Sequence, residues 1–380
     1  MDAIHIFVGT KAQYIKTAPL LRLLRARGID HRLIDSGQHA RLSATMRAEL
    51  GIRRPDVVLG GADDITSIAG AIAWAAGIAG RLRSGRAVRR EIFGDRGGVC
   101  VVHGDTPSTL LSALLARRAG LTVAHLEAGL RSHSLRQPFP EEAIRILVMR
   151  LSARLFAPDS DAMDNLRAMG LDHRAVALEG NTVIEALRDA LGASRPARSG
   201  AVVTMHRVEN LTCRRRVEHL VATVERLATT MPVRFVLHAP TERSLRRMGL
   251  LGRLVGAGVA VSPLLSHRAF VHALAAARLV ITDGGSVQEE CALLGVPTLL
   301  WRARTERSDG VGANVVVSGY RPEVVAEVTA DPDRLRRPRA DLDRRPSEQI
   351  LADLLMRTGR ARRLGGTACP DLLTGQPRRA

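Results

Sequence analysis

A short apolar run that ends in a glycine turn and gives way to a helical pattern recurs along this chain, and that unit constrains the fold more than any other feature. Residues 3–8 are apolar and β-branched apart from His5, Gly9-Thr10 follows, and Leu20, Leu21, Leu23 and Leu24 then fall at helical spacing. The unit returns at residues 98–103, the turn Gly104-Asp105-Thr106 and the helical stretch 108–118. Further strands are predicted at 121–125 and 154–157, the latter followed by the helix-capping Pro158-Asp159-Ser160. Strand, loop and helix in this order impose right-handed parallel crossovers. The class is therefore α/β.

At 380 residues the chain suits two domains better than one core. A polar Pro- and Gly-containing joint at 194–200 precedes a second series of predicted strands at 202–204, 234–238, 259–262, 279–282 and 298–300. These boundaries predict a Rossmann-like domain over 1–174 and a second, nucleotide-binding one over 175–346. A C-terminal helix over 347–363 and a disordered tail over 364–380 complete the division. Two doubly wound sheets facing each other leave a cleft at the C-terminal ends of their strands.

Lys+Arg 56 against Asp+Glu 38 gives a net charge of +18, which attracts nucleic acid, an anionic membrane or a phosphorylated substrate alike. Only 3% of residues are aromatic, so the stacking platforms of a single-strand binder are lacking, and no nucleic-acid partner is expected. The apolar runs are broken by Arg or Gly before a membrane span is reached, and the N-terminal residues do not form a signal peptide. Cys100, Cys213, Cys291 and Cys369 show no metal or disulfide spacing. A cytoplasmic protein without membrane partner or metal is the expectation. Lysine occurs only at Lys11 and Lys16, inside one short motif, where a point ammonium has a different use from the arginine fork found elsewhere.

Thr282-Asp283-Gly284-Gly285-Ser286 ends a predicted strand and opens a helix, the geometry that offers amides to a diphosphate. Gly285 allows close approach, Ser286 is placed to cap the helix or bond phosphate, and Glu290 to accept ribose hydroxyls. Gly310-Val311-Gly312 half-matches a dinucleotide fingerprint, but no strand leads into it, so no nicotinamide cofactor is expected. Asp105, Glu127 and Glu141 each sit at a predicted strand end or the loop beyond it. Any one of them alone is more often a cap or an ion-pair partner; three together suggest general acid and base work. His206 and Arg207 follow the first strand of the second domain, placed for charge-assisted bonds to a diphosphate.

Gly9-Thr10-Lys11-Ala12-Gln13-Tyr14-Ile15-Lys16, Ser36-Gly37-Gln38-His39, His103 to Thr106, His125 to Ser132 and Pro138 to Glu142 together resemble the UDP-N-acetylglucosamine 2-epimerase family of the non-hydrolysing type. Gly180 to Val183, Thr204 to Asn210, Thr282 to Glu290 and Thr305 to Arg307 continue the likeness in the same order. The resemblance implies the two-lobed GT-B-type fold, a UDP-sugar substrate, no cofactor, and a homodimer. The implied reaction eliminates UDP across C1 and C2, and adds it back after the proton returns to the other face. By motif, Asp105, Glu127 and Glu141 match catalytic carboxylates and His206 an active-site histidine. Arg145 and Glu290 match substrate contacts, Lys11, Lys16, Arg207 and His238 lie in matching substrate loops, and Gln38 matches a residue that receives a second sugar nucleotide.

Several loops depart from the family pattern. Lys11, Ala12 and Gln13 stand where Arg-Pro-Glu is usual, Ala239-Pro240-Thr241 follows His238 in place of Pro-Asn-Pro, and Asp283 is followed by Gly-Gly-Ser instead of Ser-Gly-Gly. Ser308-Asp309 replaces Pro-Glu, and Ile144 an Asn. The carboxylates stay while the loops change, which points to an altered substrate or outcome. Release of free sugar and UDP by hydrolysis is one alternative outcome, and transfer to an acceptor in the same fold is another.

Overall fold

The computed structural model describes residues 3–38, 40–61, 68–82, 84–134 and 140–357. Seven parallel strands form the first sheet: β1 (Ala3–Val8), β2 (His31–Asp35), β3 (Val57–Val58), β4 (Gly98–His103), β5 (Thr122–Leu126), β6 (Arg154–Ala157) and β7 (Ala175–Ala177). Six form the second: β8 (Ala201–Thr204), β9 (Val233–Leu237), β10 (Ala260–Pro263), β11 (Leu279–Thr282), β12 (Thr298–Leu300) and β13 (Val315–Val317). Their spatial orders are β3-β2-β1-β4-β5-β6-β7 and β10-β9-β8-β11-β12-β13. In both sheets the order reverses beside the first strand, between β1 and β4 and between β8 and β11. An open α/β sheet binds its ligand at such a switch point, where neighbouring loops run to opposite faces and leave a crevice.

The central strands are buried on both faces, as continuous apolar runs in parallel sheets must be. Ile4, Ile6, Val99, Val101 and Phe156 lie in one core layer of the first lobe, and Val203, Phe235, Ile281 and Leu299 in one layer of the second.

The expected change of lobe at residue 175 does not hold. β7 pairs in register with β6, Leu155 beside Ala175 and Ala157 beside Ala177, so residues 175–177 complete the first sheet. The helix Val183–Leu191 then begins the crossing, packing Val183, Ile184 and Leu187 into the core of the second lobe. The C-terminal helix spans Pro346–Arg357 and returns to the first lobe, where Ile350, Leu351 and Leu354 join Ile4, Tyr14, Leu20 and Leu24 in one cluster. Arg154 on β6 holds Asp353 of that helix through Nε and Nη2, the fork geometry that arginine gives a carboxylate. The remainder of the expected helix, the tail over 364–380 and Cys369 lie outside the described residues, as do His39 and Pro138-Phe139 of the sequence motifs. Among the described residues no helix is long and apolar enough to cross a membrane, and no cluster of His, Cys, Asp and Glu is arranged to hold a metal ion.

Candidate active site

Four strand ends meet where the two switch points face each other. Gly9-Thr10 follows β1, Gly104-Asp105 follows β4, Met205-His206 follows β8 and Asp283-Gly284 follows β11. The cavity between them has a volume of about 260 Å³. Lys16, Asp105, Glu127, Glu141 and Arg145 line it from the first lobe, and His206, Arg207, Gly285, Ser286 and Arg307 from the second.

Glu127 reaches the cavity from a backbone at φ 63°, a left-handed conformation that costs a non-glycine residue on the order of 1–3 kcal/mol. Its carboxylate accepts from Lys16 Nζ at 2.5 Å and Asn181 Nδ2 at 2.7 Å, and pairs with Arg307. Lys16 also donates to Glu289 at 2.6 Å, and Arg307 Nη1 lies 3.1 Å from the same carboxylate. Two cations and two carboxylates, all buried, thus bridge the lobes. Burial alone would raise the Glu127 carboxyl, but Arg307 and then Lys16 outweigh it and hold it well below the usual range. Burial raises Glu289 against the same two cations, so Glu127 is the firmly charged member of the pair.

Asp105 and Glu141 line the same cavity. Asp105 pairs with Arg145, which also donates to the fully buried Glu142 at 2.6 Å, and Glu142 in turn receives Arg131 and the Ser132 amide. Arg145 therefore acts from a fixed frame. Glu141 differs: one of its oxygens is buried without a hydrogen-bond partner, and burial, with Asp105 adding to it, raises its pKa above the ordinary carboxylate value. A carboxyl that holds its proton more tightly than usual and faces a cavity suits general acid work.

The remaining wall comes from the second lobe. Asp283, fully buried, accepts from the His206 amide at 3.0 Å and the Arg207 amide at 2.9 Å, while Arg207 Nε donates to the Asp283 carbonyl at 3.0 Å. Ser286 does not cap the helix. The cap position falls at Gly284, the helix runs Gly285–Leu294, and no side chain closes its first turn. The residue instead lies inside that turn, on the cavity wall with Gly285 and Val287. A side chain at 284 would come within 3.0 Å of His206 Cε1, which is why glycine suits the place where other family members carry serine.

A second cavity, about 170 Å³, opens beyond Ser286 and Val287. Lys11, His238, His267 and Glu290 line it together with Val236, Leu265 and Phe270. Its polar groups are largely desolvated. Burial lowers His238 to about 4, with His206 and Lys11 adding to the effect, and it lowers His267 to about 4 as well. Burial raises Glu290 to about 7, Glu289 adding to it and Lys11 opposing it. The native state thus keeps the Glu290 proton that the unfolded chain loses near 4.5, so its contribution to stability is present below 4.5 and is lost as pH rises to about 7. Glu290→Gln is expected to remove a loss on the order of 3 kcal/mol across that window, seen as a flatter urea midpoint against pH.

Gln38 lies apart from both cavities. It is half-buried behind the turn at Gly37, its amide within 3.3 Å of Ser36 Oγ, and it lines neither cavity. Sequence pattern alone does not single out four residues that matter to the site: Asn181, Glu289, Glu306 and Arg307. Glu306 pairs with Arg302 at 2.6 Å and lies 3.7 Å from Arg207; burial would raise it, yet Arg302 and Arg207 bring it down to about 2.

The family model for UDP-N-acetylglucosamine 2-epimerase matches residues 22–346. The chain belongs to this family. Among its relatives, the UDP-N-acetylglucosamine 2-epimerase of Methanocaldococcus jannaschii is 28% identical over 348 residues, 86% of this chain and 91% of that protein. The UDP-2,3-diacetamido-2,3-dideoxy-D-glucuronate 2-epimerase of Pseudomonas aeruginosa is 29% identical over 84% of this chain and 89% of that protein. The structure of the Neisseria meningitidis family member bound to UDP-GlcNAc superposes with a TM-score of 0.80 at 24% identity, covering 94% of this chain and 100% of that one. At this identity the likeness speaks to the fold, which is the two-lobed GT-B arrangement. The matched range begins after Lys11 and Lys16, so the altered first motif of this family member is placed in the cleft by the structure alone.

Proposed function

We propose that this enzyme is an isomerase that inverts C2 of a UDP-N-acetylhexosamine within the cavity lined by Asp105, Glu127 and Glu141. The observation that carries the reading is that two kinds of carboxylate line one cavity: Glu127 held charged by Arg307 and Lys16, and Glu141 inclined to keep its proton.

In this reading the nucleoside enters the smaller cavity beside Glu290, Lys11 and His238, and the diphosphate meets His206, Arg207, Ser286 and the first-turn amides from Gly285. The bond from C1 to the diphosphate oxygen breaks, its electron pair leaving with UDP. Glu127 stabilises the positive charge that develops on the sugar, since a carboxylate fixed in place needs no reorganisation as charge appears. A carboxylate takes the C2 proton and a double bond forms between C1 and C2. Asp105 and Glu141 are the two proton carriers, one for each face. A proton then returns to C2 from the other side and UDP adds back to C1. Arg145 fixes Asp105 throughout.

The homodimer implied by the family resemblance is part of the same reading, checked by light scattering of the purified chain. The reaction is tested by incubating the enzyme with UDP-N-acetylglucosamine and separating products. The expected result is a mixture with the manno epimer, both sugars still joined to UDP. Free sugar with equimolar UDP, and no manno nucleotide, would replace this reading with hydrolysis.

A further inference from the structure

We infer that Tyr320 is a positioning residue for the turn His206-Arg207, acting through Asn210 and Asp283. The inference rests on the reading of that turn as the diphosphate contact.

Tyr320 follows β13 in a left-handed backbone conformation, φ 61°, which a bulky side chain seldom adopts. Three contacts hold it there. Its amide donates to Ser318 Oγ at 3.2 Å, the Arg216 guanidinium stands 4.2 Å over its ring, and the ring meets Trp301 edge-on at 6.2 Å between centroids. Held this way, the phenol donates to Asn210 Oδ1 at 2.8 Å.

Asn210 is fully buried, and both ends of its side-chain amide are hydrogen-bonded. Nδ2 donates to Asp283 Oδ2 at 2.9 Å and to the Trp301 carbonyl at 3.0 Å, while Oδ1 accepts the phenol. The opposite amide orientation would set an oxygen against a carboxylate and a carbonyl. The carboxylate and the carbonyl therefore fix which end of the amide faces Asp283, and the phenol satisfies the buried Oδ1 that this orientation leaves over. Asp283 carries the consequence to the site, because the same carboxylate receives the His206 and Arg207 amides and its own residue immediately precedes the Gly284-Gly285 opening of the anion-facing helix. The two halves of the proposed diphosphate contact thus meet at one buried carboxylate, and the Asn210 amide that braces this carboxylate is completed by Tyr320.

The test is UDP binding by calorimetry together with steady-state kinetics. Tyr320→Phe is expected to weaken UDP and raise KM by about 2- to 10-fold with kcat little changed, the range that one buried hydrogen bond supports. Asn210→Asp supplies a readout that a purely structural role would not move. It sets two carboxylates 2.9 Å apart, which must share a proton, so UDP affinity should fall more than about tenfold at pH 8 and recover toward wild type at pH 5.5. The other charged groups around Asp283 and Tyr320 are His206, Arg207, His238, Glu209, Arg216 and Arg302, and they are common to both proteins, so the difference between the two profiles isolates the new carboxyl. Wild-type binding of UDP with Tyr320→Phe unaltered and no pH-dependent recovery in Asn210→Asp would overturn the inference alone. Failure of the wild type to bind UDP would overturn the functional reading and the inference with it.

Discussion

Glu141→Gln is expected to lower kcat by about 10²- to 10⁴-fold while UDP binds as in the wild type. The amide keeps the size of the side chain but cannot carry a proton. No hydrogen bond or ion pair to Lys16, Arg207 or Arg307 is lost, since these bond other groups and only Arg207 acts on Glu141, through its charge at longer range. The same variant should lose a feature of the pH profile. Burial raises the Glu141 carboxyl, so the limb of kcat/KM assigned to it lies above the ordinary carboxylate range in the wild type and disappears in Glu141→Gln. A loss of less than tenfold, with the limb retained, would remove Glu141 from the proton path and leave Asp105 as the only carrier of the two.

The second large effect falls on stability. Arg307→Met leaves Glu127 and Glu289 buried around a single Lys16 ammonium. Breaking one partner of a buried ionic cluster typically costs about 3–5 kcal/mol, because the remaining charges lose a partner without regaining water. The urea midpoint should drop accordingly with an unchanged m-value. Adding Glu289→Gln should recover part of the loss, since the surplus charge is then gone and the two sites share partners. Arg214→Met, which breaks the exposed pair with Glu218, is the control and should leave the midpoint nearly where it was. A drop in Arg307→Met no larger than in this control would mean that the cluster does not tie the lobes together.

Most of the fold was legible because parallel strands buried on both faces announce themselves as apolar runs between glycine turns. β6, β11 and β12 begin and end where the runs do. β2, β3, β7 and β13 were not: β3, β7 and β13 have two or three residues, too few for a periodicity, and lie at sheet edges, while β2 opens on the polar pair His31-Arg32 and so does not read as an apolar run. The shift of the lobe boundary past 175 follows from the same blind spot. At the site, residues that touch the cavity from strand ends could be read from their turns. Arg307 and Asn181, in contrast, meet Glu127 across separations of 180 and 54 positions, and Glu289 meets Lys16 across 273, distances for which local pattern has no signal. Glu289 and Glu290 show the limit well. They are adjacent in a helix and so point about 100° apart, one into the interlobe cluster and the other into the smaller cavity; the motif picks out Glu290, and nothing local gives the partners of Glu289.

The central claim is that a proton leaves and rejoins C2 while UDP departs and returns. Incubation of the enzyme with UDP-N-acetylglucosamine in deuterated water, followed by proton NMR of the H2 signal, tests it most directly. The account predicts that deuterium enters C2 of both the gluco and manno nucleotides, with UDP still attached and with the interconversion of the two lost in Glu141→Gln. A manno product that retains its original hydrogen at C2 would contradict the account.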